Sequence, residues 1–147
     1  MNTQPGKLIR IYLGAQKGAG KHAVANAELV ANEGLTGDHH AGLKLHRQIS
    51  LFASETLHEI KNAGIVVTVE ELSTNLLTEG IAIDALAIST KLKIGIAIIE
   101  ISEARKPCGS LTKIDKRLPK ATYLRCGQFG RVLTGGVIHA GDLIEIL

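Results

Sequence analysis

Short runs of apolar, often β-branched residues dominate the second half of this chain, and glycine or aspartate separates them. IAIDALAIS, KLKIG and IAIIEIS follow one another, and the tail FGRVLTGGVIHAGDLIEIL carries turn signals at Gly135-Gly136 and at Ala140-Gly141-Asp142. Closely spaced runs of this kind are typical of strands that tight turns connect. We therefore expect a mostly β chain that folds as a barrel or a sandwich.

Two strands and one helix are predicted in the first half. Residues Lys7 to Leu13 alternate between basic and apolar side chains, which indicates a half-buried strand, and Arg47 to Phe52 read as a second strand. Ser54 is a plausible N-cap for a helix that runs to about Asn62, with Glu55 early and Lys61 late, as the helix dipole favours. Gly64 is expected to close this helix.

Composition limits the class of protein. A chain of 147 residues with 45% hydrophobic residues can bury one core, so we expect a single domain over residues 1–147. With two Phe, two Tyr and no Trp, few side chains can stack on unpaired bases, which argues against a single-strand nucleic-acid binder. Arg10 interrupts the first apolar run, so no signal peptide is predicted and the cytoplasm is the expected compartment.

Positive charge is concentrated between Arg105 and Arg131. This segment holds eight basic residues and one acid, whereas the whole chain has a net charge of only +3. A local excess of this kind suits a phosphorylated or otherwise anionic ligand. The alternative is a solvated basic loop, which we favour for the lysines. The arginines beside cysteines are better candidates, because a guanidinium binds phosphate through two parallel hydrogen bonds.

The glycine-rich segment GAQKGAGKHA resembles a nucleotide loop. A Walker loop requires glycine and a hydroxyl residue where this chain has Ala15 and His22. Gly18, Gly20 and Ala23 match a dinucleotide-binding pattern, but the chain leaves little room for the repeated strand-helix units of that fold. We favour a plain loop over both interpretations.

Cys108 is the main candidate for chemistry. It lies in EARKPCGS, where Pro107 and Gly109 predict a sharp bend after an apolar strand and before a short helix that starts near Ser110. Neighbouring positive charge favours the thiolate, the species that attacks or ligates. A buried structural role is the alternative, and we favour that role for Cys126.

Asp38, His39, His40 and His46 could be read as metal ligands, since carboxylate and imidazole bind zinc and iron. Their spacing matches no familiar ligand pattern. We favour Asp38 as a residue that orders a turn, with His40 hydrogen-bonded to nearby backbone.

Five ordered blocks resemble the MOSC domain, the carboxy-terminal domain of molybdenum cofactor sulfurases. They are GLTGDHHAG (34–42), HRQISLF (46–52), STNLLTEGI (73–81), KLKIGIAIIEISEARKPCG (91–109) and FGRVLTGGVIHAGDLIEIL (129–147). The resemblance implies a β-barrel with a few short helices. The cysteine of the family matches Cys108, which is proposed there to carry sulfur or to ligate molybdenum in its pterin cofactor. An arginine commonly stands where this chain has His39.

The resemblance also implies the remaining site residues. The pterin phosphate needs cationic partners, for which we predict Lys106 and the three arginines Arg105, Arg125 and Arg131; Asn75 and His40 are further polar candidates. The pyridoxal-phosphate domain of fused sulfurases has no counterpart here, so this chain alone is not expected to extract sulfur from cysteine.

Three functions remain open from the sequence. The first is a small protein that binds the molybdenum cofactor or carries sulfur for it, with cofactor enzymes or biosynthesis proteins as partners. The second is a molybdenum-dependent reductase of N-hydroxylated compounds that draws electrons from a separate reductase. The third is an anion- or nucleotide-binding module without catalysis; nucleic acid and membranes are not expected as partners.

Overall fold

The computed structural model describes residues 4–16 and 20–147, and most of its elements are strands. In chain order the strands are β1 (Gly6–Leu13), β2 (His22–Val24), β3 (Asn26–Val30), β4 (Gly34–Leu35), β5 (Ile49–Ala53), β6 (Leu76–Glu79), β7 (Lys91–Ile94), β8 (Ala97–Ala104), β9 (Gln128–Thr134), β10 (Gly136–His139) and β11 (Leu143–Ile146). The helices are α1 (Ser54–Asn62) and α2 (Leu118–Ala121), with 3-10 helices at Leu45–Arg47, Ile83–Ala85 and Gly109–Lys113.

Seven strands close into a barrel. Their order is β11-β7-β8-β9-β5-β6-β1, and β1 returns to pair with β11. Only β5 and β6 pair in parallel among these neighbours. The strand β2 pairs with β1 but is not one of the seven barrel strands. The strands β10, β3 and β4 form a separate sheet. The prediction of a mostly β barrel with a few short helices is confirmed, and the sandwich is excluded.

Two apolar clusters hold the elements together. The first fills the barrel with aliphatic side chains such as Leu8, Leu51, Leu76, Ile99 and Val132. The second lies outside the barrel wall and joins α1, the segment 65–72 and the segment 111–126; its members include Phe52, Ile60, Val67, Leu111 and Leu118. Because Leu111 and Leu118 are anchored there, the segment that follows Cys108 is fixed against the barrel.

The predicted helix is present, but its cap is different. It spans Ser54–Asn62, with Glu55 in the first turn and Lys61 in the last, and Gly64 follows it with a positive φ of 83°. Ser54 is the first helical residue rather than the N-cap, and Ala53 occupies the cap position without a side-chain bond. The strand β5 runs directly into the helix, which moves the boundary by one residue.

One apolar segment is not a strand as the spacing suggested. In the segment 81–89, Asp84 accepts the backbone N–H of Gly127, and the Gln128 amide donates to the carbonyl groups of Ile83 and Leu86. The Gln128 side chain therefore satisfies carbonyl groups of this segment that a strand would pair with a neighbouring strand, and a 3-10 helix forms. The strand predicted at Arg47–Phe52 is β5, and Arg47 itself ends a 3-10 helix.

No helix within residues 4–16 and 20–147 has both the length and the apolar character that crossing a membrane requires.

Candidate functional site

Cys108 lies on an exposed bend after β8. Its side chain is exposed, and its backbone occupies the N-cap position of the 3-10 helix Gly109–Lys113. The Sγ atom lies 2.7 Å from Oγ of Ser110. The predicted bend and short helix are thus both present, and they place the sulfur where a ligand can reach it.

The surroundings of Cys108 favour its thiolate. The hydrogen bond with Ser110 is the largest influence on its pKa and lowers it; the backbone N–H groups of Ser110 and Leu111 and the charge of Arg105 act in the same direction, against partial burial. Hydrogen bonds and positive charge stabilise the ionised form more than the neutral form. The result is a thiol that is both exposed and readily ionised, which is the combination that reactive or metal-binding cysteines show.

Arg105 is held close to this loop by its own hydrogen bonds. Its Nη2 donates to the carbonyl of Leu72 at 2.9 Å, and its Nη1 donates to Oγ1 of Thr74 at 3.4 Å. Its guanidinium carbon lies 5.4 Å from the ring centroid of Phe129, while that of Arg47 lies 5.3 Å from the same centroid. Burial lowers the pKa of Arg105, and the two thiols partly oppose this effect. A guanidinium has five N–H donors, so three are left that bond to no residue within 4–16 and 20–147.

Lys21 and Asp38 form a buried ion pair beside this arginine. Nζ of Lys21 lies 2.7 Å from Oδ1 of Asp38, and the two side chains are 1% and 0% exposed. Burial alone would raise the pKa of Asp38, but hydrogen bonds from His40, Lys21 and the backbone N–H of Gly14 outweigh it and hold this pKa well below its ordinary value. The pair joins the glycine-rich segment to the loop that carries the two histidines.

His39 and His40 follow Asp38 in the chain, and their rings lie against each other with their planes tilted by 39°. Their ring centroids are 3.9 Å apart. Nδ1 of His39 lies 3.0 Å from the carbonyl oxygen of Gly14, and Nδ1 of His40 lies 3.4 Å from Nζ of Lys21. Protein atoms therefore contact one nitrogen of each ring, and both rings are half-buried.

Two clefts meet at Arg105. The first, which we call the histidine cleft, has a volume of about 350 Å³ and is lined by residues that include Lys21, His39, His40, Arg105, Ser110 and Phe129. The second, the proline cleft, has a volume of about 620 Å³, and its lining includes Arg105, Lys106, Pro107, Pro119 and Tyr123. Since Pro107 lines one cleft and Ser110 the other, Cys108 lies on the segment between them.

Asp38, His39 and His40 also bring their ligand atoms within 4.8 Å of one another, which is close enough to suggest a metal. However, Oδ1 of Asp38 already accepts from the ammonium group of Lys21. A cation at this carboxylate would have to displace another cation from a buried position. The donor set therefore does not fit a metal, in agreement with the interpretation of Asp38 as a residue that orders the loop. The backbone partner expected for the His40 ring belongs to His39 instead, since Nδ1 of His40 contacts the Lys21 and Asp38 side chains.

The predicted cofactor-binding residues separate into two groups. Arg105, Lys106 and His40 line the two clefts beside Cys108. Arg125 is ion-paired with Glu59 of α1 and donates to the carbonyl of Ala121. None of the clefts described here includes Arg125 in its lining.

Arg131 and Asn75 also lie away from the clefts. Nε of Arg131 donates to Oδ1 of Asn32 at 3.2 Å. Asn75 is fully buried; its Oδ1 accepts from the backbone N–H of Ser50, and its Nδ2 donates to the carbonyl of Tyr12. Its amide is therefore used to tie β1 to β5 at the start of β6.

Cys126 differs from Cys108 in every respect that matters for reactivity. It is 5% exposed and belongs to the apolar cluster outside the barrel. Burial raises the pKa of its thiol. This placement agrees with the structural role that the sequence favoured.

The dinucleotide-binding interpretation cannot be followed through the structure, because Gly18 lies outside the described residues. Gly20 and Lys21 are described, and both line the histidine cleft.

Comparison with known proteins identifies the family. The model of the MOSC domain matches residues 36–145, which is most of the chain. The chain belongs to the MOSC domain family. This family is associated with the molybdenum cofactor. The sequence has no significant match among curated proteins.

Solved structures share the fold of this MOSC domain. The YuaD protein from Bacillus subtilis is 19% identical, with a TM-score of 0.87, and the match covers 97% of this chain and 96% of that one. YiiM from Geobacillus stearothermophilus is 23% identical, with a TM-score of 0.77 over 97% of this chain and 75% of its own. YiiM from Escherichia coli is 20% identical, with a TM-score of 0.72 over 98% and 70%.

Sequence reasoning did not single out three residues of the histidine cleft as site residues. Lys21, Ser110 and Phe129 all line the histidine cleft. Lys21 stands in a segment that was rejected as a nucleotide loop, and the GK pair was its only signal. Ser110 was noted only as the start of a short helix, although a hydroxyl two residues after a cysteine on a bend can reach the sulfur.

Proposed function

We propose that this MOSC protein binds the molybdenum cofactor beside Arg105, with Cys108 as the protein ligand to the metal. The observation that carries the proposal is an exposed, readily ionised Cys108 thiol on the segment between two clefts that share Arg105. The family context supports a cofactor-related role, and the residue chemistry supports this position for it.

The chemistry of the sulfur fits the metal. Molybdenum in this cofactor is bound by soft sulfur donors, and a thiolate is the corresponding protein ligand. Ser110 and two backbone N–H groups stabilise the thiolate before any metal binds. Cys126 offers no equivalent, because it is buried and its pKa is raised.

The surrounding charges fit the pterin phosphate. Arg105 has three N–H donors that bond to no residue in the described part of the chain, on a guanidinium that two protein acceptors already orient. Lys106 is exposed at the rim of the proline cleft. Hydrogen bonds from fixed cations to phosphate are among the stronger polar contacts, so Arg105 is assigned as the main phosphate partner and Lys106 as an auxiliary one.

When bound, the cofactor supplies the redox or sulfur chemistry, and the chain supplies binding and orientation. Ser110 holds the Cys108 sulfur in place, and Arg105 and Phe129 form the wall of the histidine cleft. A protein that delivers cofactor or exchanges electrons with it is expected to approach the exposed face at Cys108.

The test is the molybdenum and pterin content of protein purified from a host that makes the cofactor. The parent and Cys126→Ala are expected to retain molybdenum and pterin in equal amounts, whereas Cys108→Ala should lose most of its molybdenum. Equal molybdenum in the parent and in Cys108→Ala would refute ligation by this cysteine. A parent protein with neither molybdenum nor pterin would refute cofactor binding as a whole.

The same exposed sulfur also favours a second function, that of a sulfur carrier. In that case the thiolate of Cys108 attacks a sulfane sulfur donor, the donor releases its own thiolate, and a persulfide remains on Cys108. Mass spectrometry should then show one added sulfur that a thiol reductant removes. If the mass of the parent protein is unchanged after incubation with a sulfane donor, this function is excluded.

A further inference from the structure

We propose that the proline cleft binds a zwitterionic ligand with an apolar body, an amino acid that carries an aromatic side chain, through the carboxylate of Asp84 and the ammonium group of Lys106. The inference goes beyond the proposed function, because it assigns a second ligand and uses a carboxylate that has no part in holding a cofactor. Its test needs no metal.

Asp84 supplies a hydrogen-bond acceptor at this cleft. Its Oδ1 accepts the backbone N–H of Gly127 at 2.9 Å, and both residues line the proline cleft. Asp84 also lines a neighbouring cleft of about 370 Å³, but Gly127 does not, so this bond places the carboxyl group beside the proline cleft.

The second carboxylate oxygen of Asp84 is open to a ligand. Oδ2 bonds to no residue in the described part of the chain. The buried side-chain atoms that lack a partner there are Nε2 of Gln48 and Oε1 of Gln128, and Oδ2 of Asp84 is not one of them. Since Asp84 as a whole is only partly exposed, this oxygen is an accessible acceptor on an otherwise enclosed side chain.

Asp84 forms no ion pair with any residue that the structure describes. Burial is the largest influence on its pKa and raises it, while the backbone N–H of Gly127 and the charge of Arg125 lower it. The guanidinium of Arg125 is instead paired with Glu59 of α1. A partly buried carboxylate without a counterion is stabilised when a ligand brings a cation or an N–H donor to it.

Gln128 holds the turn that carries Asp84. Its amide Nε2 donates to the carbonyl groups of Ile83 and Leu86, at 3.2 Å each, and these residues stand on either side of Asp84 in the chain. Gln128 itself is 4% exposed and lines the cleft. The carboxylate is therefore in place before a ligand arrives, which reduces the entropy that binding costs. Gln128 is a positioning residue in this account.

Positive charge lies on the other side of Gly127. The carbonyl of Gly127 accepts the backbone N–H of Arg105 at 3.0 Å, and Lys106 follows Arg105 at the same cleft. The ammonium group of Lys106 is exposed and makes no hydrogen bond or ion pair within the described ranges, although its charge is felt by Glu103. Lys106 is only an auxiliary partner of the phosphate proposed above, so it has N–H donors to offer a second ligand.

Charges of both signs at one cleft select a zwitterion. A simple cation would meet Asp84 but would be repelled by Arg105 and Lys106, and a simple anion would leave Asp84 without a partner. A ligand with an ammonium and a carboxylate group satisfies both sides, which is the electrostatic complementarity that gives specificity.

The rest of the lining favours an apolar body on this ligand. Pro107, Pro119 and Tyr123 line the cleft, and Tyr123 is 67% exposed. The cleft volume of about 620 Å³ is within the range of small-molecule sites. An aromatic side chain can pack against these residues, which fits an aromatic amino acid.

The test compares three probes that share one benzyl group: phenylalanine, phenylpropionate, which lacks the ammonium group, and phenethylamine, which lacks the carboxylate. Each is titrated at about pH 7 into ¹⁵N-labelled protein, and the backbone N–H signals of Gly127 and Tyr123 are followed by NMR. Phenylalanine is expected to give saturable shifts there, with a Kd about tenfold lower than that of phenylpropionate, because its ammonium group gains a charged hydrogen bond. Phenethylamine should bind most weakly.

Three results of this titration would overturn the proposal. They are an equal Kd for phenylalanine and phenylpropionate, the absence of saturable shifts with phenylalanine, and shifts confined to Thr56 and Gly80 of the neighbouring cleft. None of these results depends on whether the protein binds molybdenum, so they are distinct from failure of the proposed function.

Variants test the two charged residues. Asp84→Asn retains an oxygen for the Gly127 N–H but replaces Oδ2 by an amide that only donates, so the Kd for phenylalanine should rise about tenfold while that for phenylpropionate stays the same. Lys106→Met should weaken the binding of both compounds. An unchanged Kd for phenylalanine in either folded variant would overturn the role of that residue.

Glu55→Gln is the matched control. Glu55 lines the neighbouring cleft and accepts the backbone N–H of Gly80 with its own carboxylate. This variant removes one negative charge outside the proline cleft and should bind phenylalanine like the parent. A rise in Kd equal to that of Asp84→Asn would show an effect of net charge and would overturn the site. If Asp84→Asn does not fold, the comparison of phenylalanine with phenylpropionate in the parent decides.

Discussion

Removal of the Lys21 ammonium is expected to destabilise the protein more than removal of any surface charge. Its side chain is 1% exposed and that of Asp38 is 0% exposed, so Lys21→Met leaves a buried carboxylate whose remaining partners are the backbone N–H groups of Gly14 and His40 and the His40 ring. Breaking a buried ion pair in this way costs about 3–5 kcal/mol. Since Gly14 and His40 still donate to Asp38, the lower end applies, and the free energy of unfolding should fall by about 3 kcal/mol.

Urea denaturation followed by circular dichroism at about pH 7 measures this loss, and Tm should fall by about 10 °C. A double-mutant cycle with Asp38→Asn isolates the pair. Lys21→Met/Asp38→Asn should be more stable than the sum of the single losses predicts, with a coupling energy of about 2 kcal/mol. Arg47→Met, which breaks the more exposed ion pair with Glu103, is the control and should have a much smaller effect.

Acid should weaken the contribution of Asp38 to the stability of the fold, because its pKa is lowered in the folded protein. A carboxyl whose pKa is lower in the folded state stabilises the fold fully above its unfolded pKa of about 3.9, and this stability is lost as the pH falls below that value. The gap between the parent and Lys21→Met should therefore narrow below about pH 4. Single variants within about 0.5 kcal/mol of the parent, or a coupling energy near zero, would refute the account of this pair.

The other predictions concern the cysteine loop and the backbone that supports it. Alkylation of Cys108 by iodoacetamide at about pH 7 should be several-fold slower in Ser110→Ala than in the parent, because the Cys108 thiolate loses a hydrogen bond. The rate should be unchanged in Thr112→Ala, since the Thr112 hydroxyl bonds to the Gly109 carbonyl and not to the sulfur. Equal rates in the parent and both variants would contradict this account. Cys126 should react only when urea unfolds the chain, and modification of the folded protein at Cys126 would show that its burial is wrong. Gly127→Ala should fold poorly or lower the free energy of unfolding by about 3 kcal/mol or more, because a Cβ at this position, with its φ of 88°, would lie 2.1 Å from the Leu51 carbonyl oxygen. The control Gly109→Ala meets no atom within 4 Å and should match the parent in denaturation. A larger loss in Gly109→Ala than in Gly127→Ala would refute the backbone geometry. Asn75→Ala should lower the free energy of unfolding by about 2 kcal/mol, because the buried N–H of Ser50 and carbonyl of Tyr12 lose their partner. A denaturation midpoint equal to that of the parent would contradict this role of Asn75.

Alternation along the chain was sufficient to predict the main strands. Residues Lys7 to Leu13 match β1, and the apolar runs near residues 91–104 match β7 and β8. The strands β2 and β4 have only three and two residues, and a pattern of period two cannot be recognised in so short a run. The segment 81–89 has the composition of a strand, but the Gln128 side chain donates to two of its carbonyl groups, and its Asp84 side chain accepts the backbone N–H of Gly127. Such competition depends on residues more than 40 positions away.

The site was predictable where its chemistry is local. Cys108 was found because Pro107, Gly109 and the neighbouring charges are adjacent to it in sequence. Lys21 was missed because its partner, Asp38, is 17 residues away, and nothing local distinguishes a buried lysine from a solvated one. Arg125 and Arg131 were included because they lie in the basic segment, near Cys126 or on the strand after it, and because the resemblance implies a phosphate. The structure shows partners for both on Glu59 and Asn32, which are 66 and 99 residues away.

The most direct test of the proposed site is X-ray absorption at the molybdenum edge of the purified protein and of Cys108→Ser. Ligation by Cys108 predicts one sulfur neighbour more in the parent than in the variant, with an oxygen or nitrogen neighbour or a vacant position in its place. An identical sulfur shell in both proteins would show that the metal binds without this thiolate and would contradict the assignment.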